Sequence, residues 1–108
     1  MIVLDNSVLS AFKRLGVLSL LRQLFGDVMI TPGVLSEFSR RWGRDALPGW
    51  VRVCELGDSM LREARALRLG RGEAESIVLA QRLSCLLAVD DEKARSMAKL
   101  MEYLRLAY

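Results

Sequence analysis

Apolar residues along this chain switch between two patterns: short unbroken runs and a three-and-four spacing. Ile2-Val3-Leu4 is an unbroken run that stops at Asp5, the pattern of a buried strand with a polar residue at its C-terminal end. Asn6 and Ser7 are good helix N-caps, and Val8, Leu9, Phe12 and Leu15 then recur at helical spacing until Gly16. Val17, Leu18, Leu20, Leu21, Leu24 and Phe25 predict a second helix closed by Gly26. Val28-Met29-Ile30 reads as a second strand. Thr31-Pro32 supplies an N-cap and a first-turn proline, so a helix follows through Leu35 and Phe38. Residues 40–49 read as a loop punctuated by Gly43, Pro48 and Gly49, and Trp50–Glu55 alternates like a short strand. Asp58 or Ser59 caps a helix carrying Leu61, Ala64 and Leu67. Gly70 and Gly72 form a turn, and the next helix runs from Glu73 to about Leu83. Cys85–Val89 is an apolar run of strand length ending at Asp90-Asp91, and Glu92 to about Leu104 is again helical.

Strands alternating with helices predict an α/β fold, a parallel β-sheet flanked by α-helices on both faces. In such folds ligands bind outside the carboxyl ends of the strands. Two strands end in acid at that edge, so Asp5 and the Asp90/Asp91 pair converge if those strands are neighbours.

Composition narrows the chemistry. With 108 residues, 52% of them apolar, the chain is expected to form a single domain over 1–108 with a real core. Its longest apolar stretches fall far short of the roughly 20 residues that cross a bilayer. Asp5 interrupts the opening run and no basic segment precedes it, so no signal peptide is expected and the cytoplasm is the expected setting. There is no histidine, which excludes Ser-His-Asp and Cys-His catalysis and any imidazole ligand. The two cysteines, Cys54 and Cys85, are too few for an all-cysteine zinc site and too far apart for a redox CxxC pair. Chemistry is left to carboxylates, hydroxyls, Lys, Arg and Tyr, and acid-rich oxygen sites suit Mg2+ or Mn2+.

The net charge of +3 is unevenly placed. Residues 40–71 hold eight arginines (Arg40, Arg41, Arg44, Arg52, Arg62, Arg65, Arg68 and Arg71) against four acids. That distribution suits a polyanionic partner, and equally suits solvated helix faces with local ion pairs. Trp42 and Trp50 flank the basic loop, either as stacking platforms for bases or as packing anchors.

The acids carry the sharper signal. Asp5, Glu37, Glu73 and the Asp90/Asp91 pair would repel one another at one sheet edge unless a cation sat among them. A divalent metal there lowers the pKa of a bound water and neutralises charge on a phosphate. Each acid also has a plainer reading. Glu73, Glu75, Asp90 and Asp91 lie near predicted helix N-termini, where acids favour the dipole, and Glu37 can be a surface residue. Glu75, two positions from Glu73, points to a different helix face, so only one of that pair is expected in the site. Asn6 and Ser7 either cap the first helix or hold a water or phosphate beside the metal. A receiver-like phosphoacceptor at Asp90/Asp91 fails for want of a downstream strand-ending Lys.

Four segments together resemble a PIN domain: Ile2-Val3-Leu4-Asp5-Asn6-Ser7, Thr31-Pro32-Gly33-Val34-Leu35-Ser36-Glu37, Leu69-Gly70-Arg71-Gly72-Glu73-Ala74-Glu75-Ser76-Ile77, and Leu86-Leu87-Ala88-Val89-Asp90-Asp91-Glu92-Lys93-Ala94-Arg95. Leu47-Pro48-Gly49-Trp50-Val51-Arg52-Val53 resembles a segment of the small prokaryotic members whose third motif reads Gly-Glu-Ala-Glu. The resemblance implies a three-layer α/β/α fold and a Mg2+- or Mn2+-dependent ribonuclease of the VapC-like toxin kind, with RNA as substrate and a cognate antitoxin as partner. By position it implies catalytic roles for Asp5, Glu37, Glu73, Asp90 and Asp91, with Asp5, Glu73, Asp90 and Asp91 as metal ligands. Ser7 matches the small hydroxyl residue after the first acid. The chain stops at Tyr108 without the family's Gly-Thr-containing last strand, which implies an exposed edge and hence a homodimer or domain-swapped assembly. A catalytically silent PIN-like module binding nucleic acid or protein is the alternative.

Overall fold

A computed structural model describes residues 1–88, and each apolar run within them becomes a strand. The elements are β1 (Ile2–Leu4), α1 (Asn6–Arg14), α2 (Leu18–Phe25), β2 (Val28–Ile30), α3 (Pro32–Trp42), a 3₁₀ turn at Arg44–Ala46, β3 (Arg52–Val53), α4 (Asp58–Ala66), α5 (Arg71–Leu83) and β4 (Leu86–Ala88). The four described strands form one sheet in the order β3-β2-β1-β4, with every pairing parallel. Val3 lies opposite Met29 on one side and Leu87 on the other, which makes β1 an interior strand. Asp90, Asp91 and the helix expected from Glu92 lie outside the described residues.

The period of two in the strands sorts side chains to opposite faces. Ile2, Leu4, Val28 and Ile30 pack into one core with Leu9, Phe12, Leu21, Val34 and Phe38 of α1, α2 and α3. Val3 and Met29 turn the other way, onto Leu79 and Ala80 of α5. Ala64 of α4 meets Ala74 and Val78 of α5 in a third, small cluster. Helices therefore cover both faces, as the alternating pattern predicts.

Element boundaries depart from expectation where helices begin. Asp5, not Asn6 or Ser7, holds the N-cap position of α1, because Asn6 already has helical geometry. Helix α4 starts at Asp58, with Gly57 preceding it and no side-chain cap. Helix α5 starts at Arg71, so Gly72 lies in its first turn and not in the turn before it. The alternating segment from Trp50 to Glu55 yields only a two-residue strand. Thr31 behaves as predicted: its Oγ1 accepts the Val34 N–H at 3.3 Å, with Pro32 at the first helical position. Among the described residues β4 is a sheet edge, and its Leu86 is 58% exposed.

Candidate acidic site

Asp5 ends the interior strand at its carboxyl edge. Its backbone is fully used: the N–H donates to the Ala88 carbonyl at 3.0 Å, and the carbonyl accepts the Leu9 N–H at 3.0 Å. Only 7% of the residue is exposed, yet its side chain caps nothing at the start of α1. Among the described residues the carboxylate has no hydrogen-bond donor and no ion-pair partner. At the N-cap its charge faces the positive end of the helix dipole, and no described donor engages it.

Glu37 and Glu75 join α3 to α5 by a reciprocal arrangement. Glu75 Oε1 accepts the Gly33 N–H at 2.8 Å, at the second position of α3. Glu37 Oε1 accepts the Gly72 N–H at 3.1 Å, at the second position of α5. Each helix thus satisfies an orphan amide of the other, and each acid sits at a positive dipole end. Both glycines are needed for so close an approach. A Cβ on Gly33 would stand 2.8 Å from Glu75 Oε1 and 3.0 Å from Arg71 Cγ, and one on Gly72 would overlap Glu37 Oε1. Arg71 Nε completes the seam by donating to Glu75 Oε2 at 3.0 Å.

The member of the Glu73/Glu75 pair that reaches α3 is therefore Glu75, which is 4% exposed. Glu73 is half-buried and makes no side-chain hydrogen bond among the described residues. A signal that could have found it is spacing: Glu75 lies three positions after Gly72 and four before Leu79, on the buried side of α5. Asn6 Oδ1 accepts the Ser10 hydroxyl at 3.3 Å, and Ser10 Oγ in turn accepts Trp42 Nε1–H at 3.1 Å. Ser7 is half-buried, with no such bond among the described residues.

The two tryptophans are packed as anchors. Trp42 carries Lys13 and Arg41 at 5.6 and 5.1 Å from its ring centre, and Arg22 lies 5.7 Å from that of Trp50. Burial pushes the Cys54 thiol above its ordinary pKa, against a weaker opposing pull from Arg52, so it supplies no reactive thiolate.

Oxygen donors are the right class for Mg2+ or Mn2+, and the unpartnered Asp5 carboxylate fits such an ion. Among the described residues no three acids or cysteines gather closely enough to hold a metal, since Glu37 and Glu75 are engaged between helices. Asp90 and Asp91 lie outside the described residues.

A family model described as PIN domain matches residues 1–104. Among solved structures, the fold is similar to VapC20 of Mycobacterium tuberculosis, a Sarcin-Ricin loop cleaving toxin, with a TM-score of 0.63 and 20% identity. That match covers 90% of this chain and 95% of the other. Comparison with curated proteins returns no match.

Proposed function

Because this chain belongs to the PIN domain family, we propose that it is a toxin-like endoribonuclease that hydrolyses RNA phosphodiester bonds at an acidic Mg2+ or Mn2+ site. The observation that carries the reading is Asp5, a buried carboxylate at the mouth of the interior strand with no partner among the described residues. A bound divalent metal supplies an acidified water and neutralises charge developing on the phosphate. Asp5 would hold it, together with Asp90 and Asp91, which follow Ala88 by two and three positions in the sequence. Glu37, Glu73 and Glu75 lie on the flanking helices as further acids, Glu37 and Glu75 oriented by the amides they accept. The RNA-cleaving activity named for the structural neighbour supports RNA as the substrate class, and its description as a toxin supports a cognate antitoxin as partner. Among the described residues β4 is the sheet edge, which is in keeping with self-association.

The test is cleavage of a labelled RNA by partner-free protein with Mn2+ or Mg2+, beside a chelator control. Asp5→Asn is expected to cut at least about a hundredfold more slowly than wild type. Wild-type protein that is folded and inert with both metals would sink the enzyme. One observation favours a silent binding module as the second reading: Glu37 and Glu75 are already occupied as helix caps.

A further inference from the structure

The arginine-rich stretch is not a uniform basic surface. Arg52 pairs with Asp27 at 3.8 Å, and Arg41 lies over Trp42. Three of the others, Arg40, Arg44 and Arg71, meet at one cavity of about 490 Å3 that no acid among the described residues lines. They arrive from three elements: α3, the 3₁₀ turn that follows it, and the first residue of α5. Ser36, Ser39 and Arg40 lie three and four positions apart, on one face of α3, and both serines also line the cavity.

Of these side chains the three guanidiniums and the Ser36 hydroxyl are exposed and can reach a ligand, whereas the Ser39 Oγ is closed off from solvent. Arg71 gives Nε to Glu75 and keeps its terminal N–H groups, while Arg40 and Arg44 have no ion-pair partner among the described residues. Guanidinium forks and hydroxyl donors together match the oxygens of a phosphate.

We propose that this cavity binds a backbone phosphate of the RNA, outside the acidic site and joined to it through Arg71. Its ligand class rests on the ribonuclease reading. Arg71 also borders a neighbouring cavity of about 510 Å3, but that one is mostly apolar and holds Glu75, so the phosphate position is confined to the arginine side.

The experiment is equilibrium binding of a short labelled single-stranded RNA in chelator, over a series of salt concentrations, so that no cleavage intervenes. The Arg40→Gln/Arg44→Gln double variant is expected to bind about tenfold more weakly. Its slope of log affinity against log salt should shrink by about 0.7, the value for one phosphate contact on a single strand. Ser36→Ala should lose affinity by a few-fold while keeping the wild-type melting temperature. The control is Arg62→Gln/Arg68→Gln, the same change of charge elsewhere, which should retain most of the affinity. A folded Arg40/Arg44 variant with wild-type affinity and slope would overturn the site, as would an equal loss in the control. An oligoglutamate peptide that outcompetes RNA at these arginines would assign the cavity to an acidic protein and overturn it too. If wild-type protein fails to cut RNA with either metal but this binding pattern holds, the enzyme reading fails and the phosphate site stands.

Discussion

The two helix layers are built on different physics. The layer of α1, α2 and α3 meets the sheet through large, fully buried side chains, Phe12, Phe38, Leu9 and Leu21 among them. The layer of α4 and α5 meets it through Leu79 and Ala80, and its own interior is Ala64, Ala74 and Val78. Apolar burial scales with area, so the first layer holds itself and the second does not to the same degree. What the second layer has instead is polar: the exchange of amides and carboxylates between α3 and α5, and the Arg71 pair. The carboxylates doing this belong to the motifs that resemble a nuclease. If Glu37 belongs to the proposed acidic site, that site and the attachment of the second layer share a side chain.

The contrast can be broken at its strong end first. Phe12→Ala should cost about 3–5 kcal/mol in urea unfolding, because a fully buried ring leaves a cavity in the well-packed layer. Glu75→Ala should cost less, about 1–3 kcal/mol, by leaving the buried Gly33 N–H without an acceptor. The sharper readout there is hydrogen exchange: protection should fall across α5 and the start of α3 while α1 keeps its own. Gly72→Ala pits two effects against each other. The new methyl displaces Glu37 Oε1 and breaks its hydrogen bond, while alanine favours the helix by about 1 kcal/mol. Net stability should move by no more than about 1 kcal/mol, with exchange at that amide clearly faster. Arg82→Ala removes an exposed pair with Glu63 at 3.1 Å and should change stability by less than about 0.5 kcal/mol.

Much of the fold was legible because strand and helix periods differ so plainly here. Ile2-Val3-Leu4 and Val28-Met29-Ile30 are short, apolar and abruptly ended, and both are strands. Thr31-Pro32 announced α3 through chemistry that works at only one end of a helix. Asp5 stands out in the sequence as an acid that ends an apolar run, and the structure places it at the carboxyl end of the interior strand β1 and at the N-cap of α1. The pair Glu73/Glu75 was not resolved by pattern, because the apolar positions Ala74 and Val78 mark the face toward α4 and do not say which acid turns toward α3. Glycine signals a turn and a close approach equally well, and at Gly72 the close approach decides. Nor could charge counting find the arginine cavity, since it gathers three residues spread over 32 positions of sequence.

The pairing of β1 with β4 also sets a schedule. Asp5 is made before Ala88, whose carbonyl receives its N–H. Between them lie every described helix and the other two strands, so the strand edge around Asp5 stays unfinished until all of these have been made. A growing chain therefore carries its first acid without the neighbour that completes the edge. If that acid belongs to a ribonuclease, the messenger and the ribosome are the RNAs closest to it during that interval, and late closure keeps them out of reach of a finished site.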